Sequence, residues 1–214
     1  MRMFDVIVLA AGSSRRFAQG NKLIQPYCGK PLISHVLSVI EQLDIGQQII
    51  VTGEPYRDEI MSVVATRPRW REAVNTRADE GVGTSIAAGA ALLNGSRGVF
   101  ICPADMPLIS QNDFQRTAEL FVGPTSICRP MFEGRPGHPV LFGSAHYQRL
   151  SALEGDVGGA SMLRGAPHLL ATYASANQGV VLDLDKAEQF TGAAIKDGFR
   201  TSVATHEATS AGEN

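Results

Sequence analysis

The feature that most constrains this 214-residue chain is its first apolar run, which ends in a loop of small and cationic residues. Asp5 to Leu9 read DVIVL, the pattern of a buried strand. Ala10, Ala11, Gly12, Ser13, Ser14, Arg15 and Arg16 follow at once, and Asn21 and Lys22 come a few residues later. Small residues let successive backbone N–H groups turn toward an anion and form a nest. Arginine and lysine side chains add full positive charge beside it. At the carboxyl end of a first parallel strand, such a segment lies where open α/β sheets bind ligands. A tight turn with a solvated Arg15 would account for the same residues without a ligand. The closeness of Arg16 and Lys22 to the strand end favours phosphate handling. No Gly-Lys-Ser/Thr closes the loop, so it is not a P-loop, and it lacks the Gly-x-Gly-x-x-Gly of a dinucleotide fingerprint.

Beyond this loop, short β-branched runs alternate with helical patterns. Pro31 is expected in the first turn of a helix carrying Leu32, Ile33, Val36, Leu37, Ile40 and Leu43 at helical spacing. Gln48 to Val51 reads as a strand, residues 55–65 as a helix and Glu72 to Asn75 as a weak strand. Glu80 to Ser85 reads as a glycine-rich entry to a helix over Ile86 to Leu93 that stops at Asn94-Gly95. Gly98 to Cys102 is a strand ending at Pro103-Ala104-Asp105. Ser110 can cap a helix toward Phe121, and Thr125 to Arg129 is a further strand. Residues 131–138 form a Gly, Pro and Arg-rich loop, expected to be an insert over the ligand site, with Val140-Leu141-Phe142 after it. Val180 to Leu184 reads as a late strand and Lys186 to Lys196 as a final helix. Such alternation predicts an α/β fold with a mostly parallel sheet. A single domain is expected over residues 1–200, and residues 201–214, small and polar, are expected to be a disordered tail.

The chain is 44% hydrophobic and 19% charged, enough to bury a sizeable core. A formal net charge of −2 argues against a nucleic-acid or membrane-surface partner. The apolar N-terminus is interrupted by Asp5, and no stretch approaches the ~18 residues of a membrane span. Cys28, Cys102 and Cys128 are too few and too scattered for a disulfide framework or a zinc site, so a cytoplasmic setting is expected.

The motif Leu9-Ala10-Ala11-Gly12-x-Ser14-x-Arg16, followed by Lys22, resembles the signature loop of the MobA-like nucleotidyltransferases, and within them the molybdenum cofactor cytidylyltransferases. The resemblance spans roughly residues 4–190. It includes Gly81-x-Gly83-x-Ser85, Asp105-Met106-Pro107, Gly137-His138-Pro139-Val140-Leu141-Phe142, Gly155-Asp156-x-Gly158 and Asp183-Leu184-Asp185. The chain departs from the family pattern at Ala18 and Ala104, where glycine is usual, and at Gly159-Ala160, where Ala-Arg is common. Asn21 stands where sugar-nucleotide relatives carry proline, which argues against a sugar phosphate acceptor.

The resemblance implies a three-layer Rossmann-like nucleotidyltransferase fold that transfers CMP from CTP to a molybdopterin-type cofactor and releases pyrophosphate. It implies nucleotide binding by Leu9, Ala10, Ala11, Gly12, Ser13, Ser14, Arg16, Lys22, Gly83 and Ser85. Arg16, Lys22 and Asp105 would be catalytic. Magnesium would be held by Asp105 and a second carboxylate, Asp183 or Asp185, with Asp183 preferred. The bland alternative for Asp105 is a turn or cap before Pro107, and for Asp185 a helix cap. His138 and Asp156 would face the acceptor; the alternative for Asp156 is to fix a turn before a helix. His35, His146, His168 and His206 have no metal-ligand spacing. Alternatives are a MobA-like transferase using GTP or another phosphorylated acceptor, and a non-catalytic carrier that delivers the cofactor to a molybdenum hydroxylase. Ala11, in place of the glycine of guanylyl enzymes, points to the smaller pyrimidine.

Overall fold

The structure is a computed structural model that describes residues 1–12, 20–159, 162 and 167–184. The first strand, β1 (Phe4–Leu9), is buried along almost its whole length, as a β-branched run covered on both faces should be. It is flanked in parallel by β4 (Gln48–Thr52) and β6 (Gly98–Pro103). β5 (Trp70–Val74) pairs in parallel beyond β4 and ends the sheet there. On the other side, β9 (Val140–Gly143) runs antiparallel between β6 and β7 (Ile127–Phe132), and β10 (Leu170–Ala174) closes the order in parallel with β7. A two-stranded ribbon, β2 (Pro26–Tyr27) with β3 (Lys30–Pro31), stands apart.

Alternate β1 residues feed two cores, because strand side chains alternate between faces. Val6 and Val8 join the cluster under α1 (Leu32–Glu41), α2 (Arg57–Val64) and α4 (Gln111–Glu119), with Ile33, Leu37, Ile60 and Phe114 at its centre. Ile7 joins the opposite cluster under α3 (Val82–Ala90) and α5 (Tyr147–Ser151), through Ile86, Ala90 and Leu150. The result is three layers around a mostly parallel mixed sheet, the architecture expected from the strand–helix alternation. Among the described residues no helix is long and apolar enough to cross a membrane.

Several elements differ from the sequence expectation. Pro31 precedes α1 in extended conformation instead of opening its first turn. Most of the glycine-rich segment, Val82 to Ser85, lies inside α3, which starts at Val82 after Gly81 and ends at Ala90. The stretch expected as a covering insert is a hairpin: β7 continues to Phe132 and returns through β8 (Arg135–Pro136). Residues 133–139 are too few for a crossover, so β9 must run antiparallel to β7. Gln178–Val181 is a 3₁₀ turn, not a strand. β10 and α5 carried no clear periodicity and were not expected. Ser110 does cap α4, in a reciprocal capping box with Asp113. The expected final helix over residues 186–196 and the expected disordered tail lie outside the described residues.

Candidate active site

From β1 the chain proceeds to β4 on one side, while β6 lies on the other. This is a topological switch, where open α/β sheets leave a crevice at their carboxyl edge. Leu9 and Pro103 are register partners at that edge. The Ala10 N–H donates to Val51 O at 2.9 Å and the Ala104 N–H to Leu9 O at 3.1 Å. Ala10, Ala11 and Ala104 are buried, so the two loops leave the sheet side by side. Gly12 has open space where a Cβ would project. Ser13, Ser14 and Arg16 lie outside the described residues.

The chain returns at Asn21, which is buried and whose Oδ1 accepts the Leu23 N–H at 3.0 Å. This starts a 3₁₀ turn at Lys22–Ile24. The turn carries Lys22 to the crevice, where its Nζ lies 2.7 Å from Asp105 Oδ2. The side chains are 14% and 20% exposed, so this pair is shielded from bulk water more than a surface ion pair would be. Asp105 Oδ1 is buried and has no hydrogen-bond partner among the described residues. A carboxylate with one oxygen neutralised by lysine and the other buried without a partner suits a hard cation with oxygen ligands. The Leu184 N–H donates to Asp105 O at 3.1 Å, which brings the Asp183 segment beside Asp105. Asp185 lies outside the described residues. Among the described residues no group of three or more His, Cys, Asp or Glu could hold a metal ion. Magnesium bound here would therefore need phosphate or water oxygens as well.

Behind Ser85, which borders the cleft, stands Asn75, a residue that the sequence pattern marks only as the end of a strand. Its buried Nδ2 donates to Thr84 Oγ1 and Ser85 Oγ, each at 2.9 Å, and its Oδ1 accepts the Arg77 N–H at 2.9 Å. The Asn75 amide thus fixes the first turn of α3. Gly81, at φ 131°, and Gly83 let residues 154–158 pack onto that turn. The Gly83 N–H donates to Gly155 O at 2.9 Å, and a Cβ on Gly81 would stand 2.5 Å from Asp156 N. Two motifs some seventy residues apart in sequence are therefore one structural unit.

Two adjoining hollows share Leu9, Val82 and Pro103. The larger, about 480 Å³, is bordered by Ala11, Gly12, Ser85, Asp105 and Asp156 as well. The smaller, about 230 Å³, is mostly apolar, with Ile86, Ile127 and Phe142 in its walls beside Arg129 and His138. The structure thus brings Leu9, Ala11, Gly12, Ser85 and Asp105 to one cleft. It separates His138 from Asp156, which borders the larger hollow. Gly83 serves as a packing surface for the Gly155 loop. Gly159 borders the smaller hollow where the family pattern has alanine, and a Cβ there would meet Phe142 Cζ at 2.7 Å.

His138 is held by its own N–H, which donates to Val180 O at 2.7 Å, and its ring Nδ1 lies 3.4 Å from Ile101 O. Burial, and secondarily the Arg129 charge, push its pKa down to about 4, so the ring is neutral near pH 7. Cys102 and Cys128 are buried, and burial pushes both thiols up, Cys128 to about 11; neither is a poised nucleophile.

Among curated proteins, the chain is 26% identical over 144 residues to the bifunctional protein GlmU of Rhizorhabdus wittichii, covering 66% of this chain and 31% of that one. It spans about a third of the length of that relative. It is 25% identical over 193 residues to nicotine blue oxidoreductase of Paenarthrobacter nicotinovorans, covering 86% of this chain and 92% of that protein. Its fold superimposes on the Rv0371c homologue from Mycobacterium sp. strain JC1 with a TM-score of 0.74, at 19% identity, over 88% and 93% of the two chains. Mycobacterium tuberculosis Rv0371c, solved in complex with manganese, gives 0.66 at 21% identity over 80% and 88%. The MobA-like NTP transferase domain profile matches residues 6–177, most of the strand–helix frame and both hollows, and the chain belongs to that family.

Proposed function

We propose that this protein transfers CMP from CTP to the terminal phosphate of a molybdopterin-type cofactor and releases pyrophosphate. The observation that carries the reading is the Lys22–Asp105 pair, whose Oδ1 has no partner among the described residues, with Asp105 on the wall of the larger hollow and the apolar hollow adjoining it. The nucleotide occupies the larger cleft, with Ala11, Gly12 and Ser85 along it. The acceptor lies in the smaller hollow and directs its phosphate toward Asp105. A phosphate monoester has a second pKa near ~6 and is largely dianionic at neutral pH, so no general base has to deprotonate it. Neutral His138 is consistent with that, since it shapes the hollow without adding charge. An acceptor oxygen forms a bond to the α-phosphorus while the bond from that phosphorus to the bridging oxygen breaks, and pyrophosphate leaves with the electron pair.

Lys22 offsets the charge of the approaching phosphates and of the leaving group. Arg16, by the same reading, adds a second cation from the loop. Magnesium held by Asp105, with Asp183 beside it, would supply charge neutralisation across the triphosphate. A fold neighbour solved with manganese supports divalent-metal use. Ala11 is buried and borders the cleft, where a methyl group takes space that a glycine would leave. That favours a pyrimidine, by the ~1–3 kcal/mol that one methyl group can contribute to discrimination.

The test offers CTP and GTP together, with magnesium and the pterin cofactor, and follows pyrophosphate and the dinucleotide product by mass spectrometry. Cytosine dinucleotide should dominate, and Ala11→Gly should erode the preference without inverting it. Guanine dinucleotide as the main product would overturn the CTP assignment. A second reading, an oxidoreductase role, is favoured by the alignment with nicotine blue oxidoreductase over 92% of that protein's length. Absence of pyrophosphate release with either nucleotide, together with substrate-dependent absorbance change in a redox assay, would favour it.

A further inference from the structure

Arg129 has no place in the transfer chemistry above, yet its environment is unusual. It lies on β7 and is only 9% exposed. Its Nε and Nη2 both donate to one acceptor, Gly137 O, at 3.1 and 2.9 Å. Among the described residues no carboxylate pairs with it. Burial alone pulls its pKa down, the direction expected for a cation without a counter-charge. A guanidinium has five N–H donors in a rigid plane. One edge is used by Gly137 O, which leaves the Nη1/Nη2 end with donors unspent. Donors left unspent at the wall of an apolar hollow are available to an acceptor that enters it. Arg129 borders the hollow assigned to the acceptor, with Ile127, Val140 and Phe142 around it.

We propose that Arg129 reads the heterocycle of the acceptor, donating from its free end to a ring carbonyl oxygen. The inference rests on the reading of the smaller hollow as the pterin site. Pterin carries such an oxygen, its 4-oxo group, on the edge of the pyrimidine ring. A carbonyl oxygen has two lone pairs and can take more than one N–H of the guanidinium fork. The apolar walls cover the faces of the ring, and a hollow of about 230 Å³ suits a bicycle whose phosphate tail extends toward Asp105. Arg129 is thus a specificity residue for the ring. It stands apart from the reacting phosphates.

The experiment measures binding of pterin and of quinoxaline, a bicycle of the same shape without the oxygen, to the full chain by ligand-observed NMR, up to 10 mM. CTP binding is measured in parallel by calorimetry. The wild type should bind pterin on the order of 10-fold more tightly than quinoxaline. Arg129→Met should remove that preference, and Arg129→Lys, which keeps the charge but not the fork, should remove most of it. CTP affinity should change less than about twofold. Equal binding of the two bicycles by the wild type, or by neither, overturns the proposal without any need for a folded variant. So does a folded Arg129→Lys that retains the full preference. Failure of CMP transfer with the preference intact would sink the proposed reaction and leave the role of Arg129 standing.

Discussion

Gly83→Ala tests whether the two glycine motifs form one unit. A Cβ at position 83 would stand 2.8 Å from Glu154 O, 2.8 Å from Gly155 O and 2.9 Å from Val157 O. Carbon–oxygen contacts settle at about 3.3 Å or more, so each oxygen must retreat by roughly 0.5 Å. All three are main-chain atoms, and no side-chain rotation can relieve them. Residues 154–157 must therefore lift as a body, which stretches the 2.9 Å bond from the Gly83 N–H to Gly155 O. Overpacking of this kind costs about 1–3 kcal/mol, and a weakened buried hydrogen bond about 1 kcal/mol more. Alanine in a helix returns at most about 1 kcal/mol over glycine. The net expectation is a loss of about 1–3 kcal/mol, or roughly 3–10 °C in Tm. CTP affinity should fall as well, because Asp156 and Gly81 border the cleft. Gly158→Ala is the control, since among the described residues its Cβ would meet only Val82 Cγ1, at 3.6 Å. Thermal melts and calorimetric CTP titrations of both variants decide the matter. A Gly83→Ala protein that melts at or above the wild type with unchanged CTP affinity would refute the argument.

Three further outcomes are expected. Asp105→Asn keeps the shape and removes the charge beside Lys22, so turnover should drop by on the order of 10²-fold and be partly restored by excess magnesium; full activity at ordinary magnesium would reduce Asp105 to a turn residue. Gln48 is 1% exposed with neither side-chain polar atom hydrogen-bonded, so Gln48→Met should stabilise the protein by about 1–3 kcal/mol in urea unfolding, and a loss would show that the amide has a partner. His138 has a folded pKa of about 4 against 6.5 unfolded, so the unfolded chain takes up the proton first as pH falls; stability should decline from pH 6.5 to 4, and His138→Asn should flatten that slope in a Tm-against-pH series, whereas parallel profiles would contradict the burial of the ring.

Much of the frame was legible in the sequence because its signals are local. The DVIVL run, the Ile-rich run at 48–51 and the heptad-like spacing of α1 each contain enough apolar periodicity to define an element by itself. The capping box at Ser110 and Asp113 is likewise written within four residues. The order of small, cationic and acidic motifs, Ala11 and Gly12 through Lys22 to Asp105, was enough to indicate phosphate chemistry at one sheet edge. β10 and α5 were not legible, since their half-exposed residues alternate weakly and gain their structure from pairing with β7 and packing on α3.

What tertiary structure alone decided are the relations between distant segments. Nothing near Asn75 announces that its amide will hold Thr84 and Ser85, and nothing near Gly155 announces that it will rest on Gly83. The antiparallel insertion of β9 between β6 and β7 is what sets His138 and Arg129 beside one apolar hollow and leaves Asp156 beside the other. Side-chain type and local spacing are properties of the chain and can be read along it. Which donors remain unpaired, and which cavity they border, depends on long-range register and packing, and these exist only once the sheet has closed around β1.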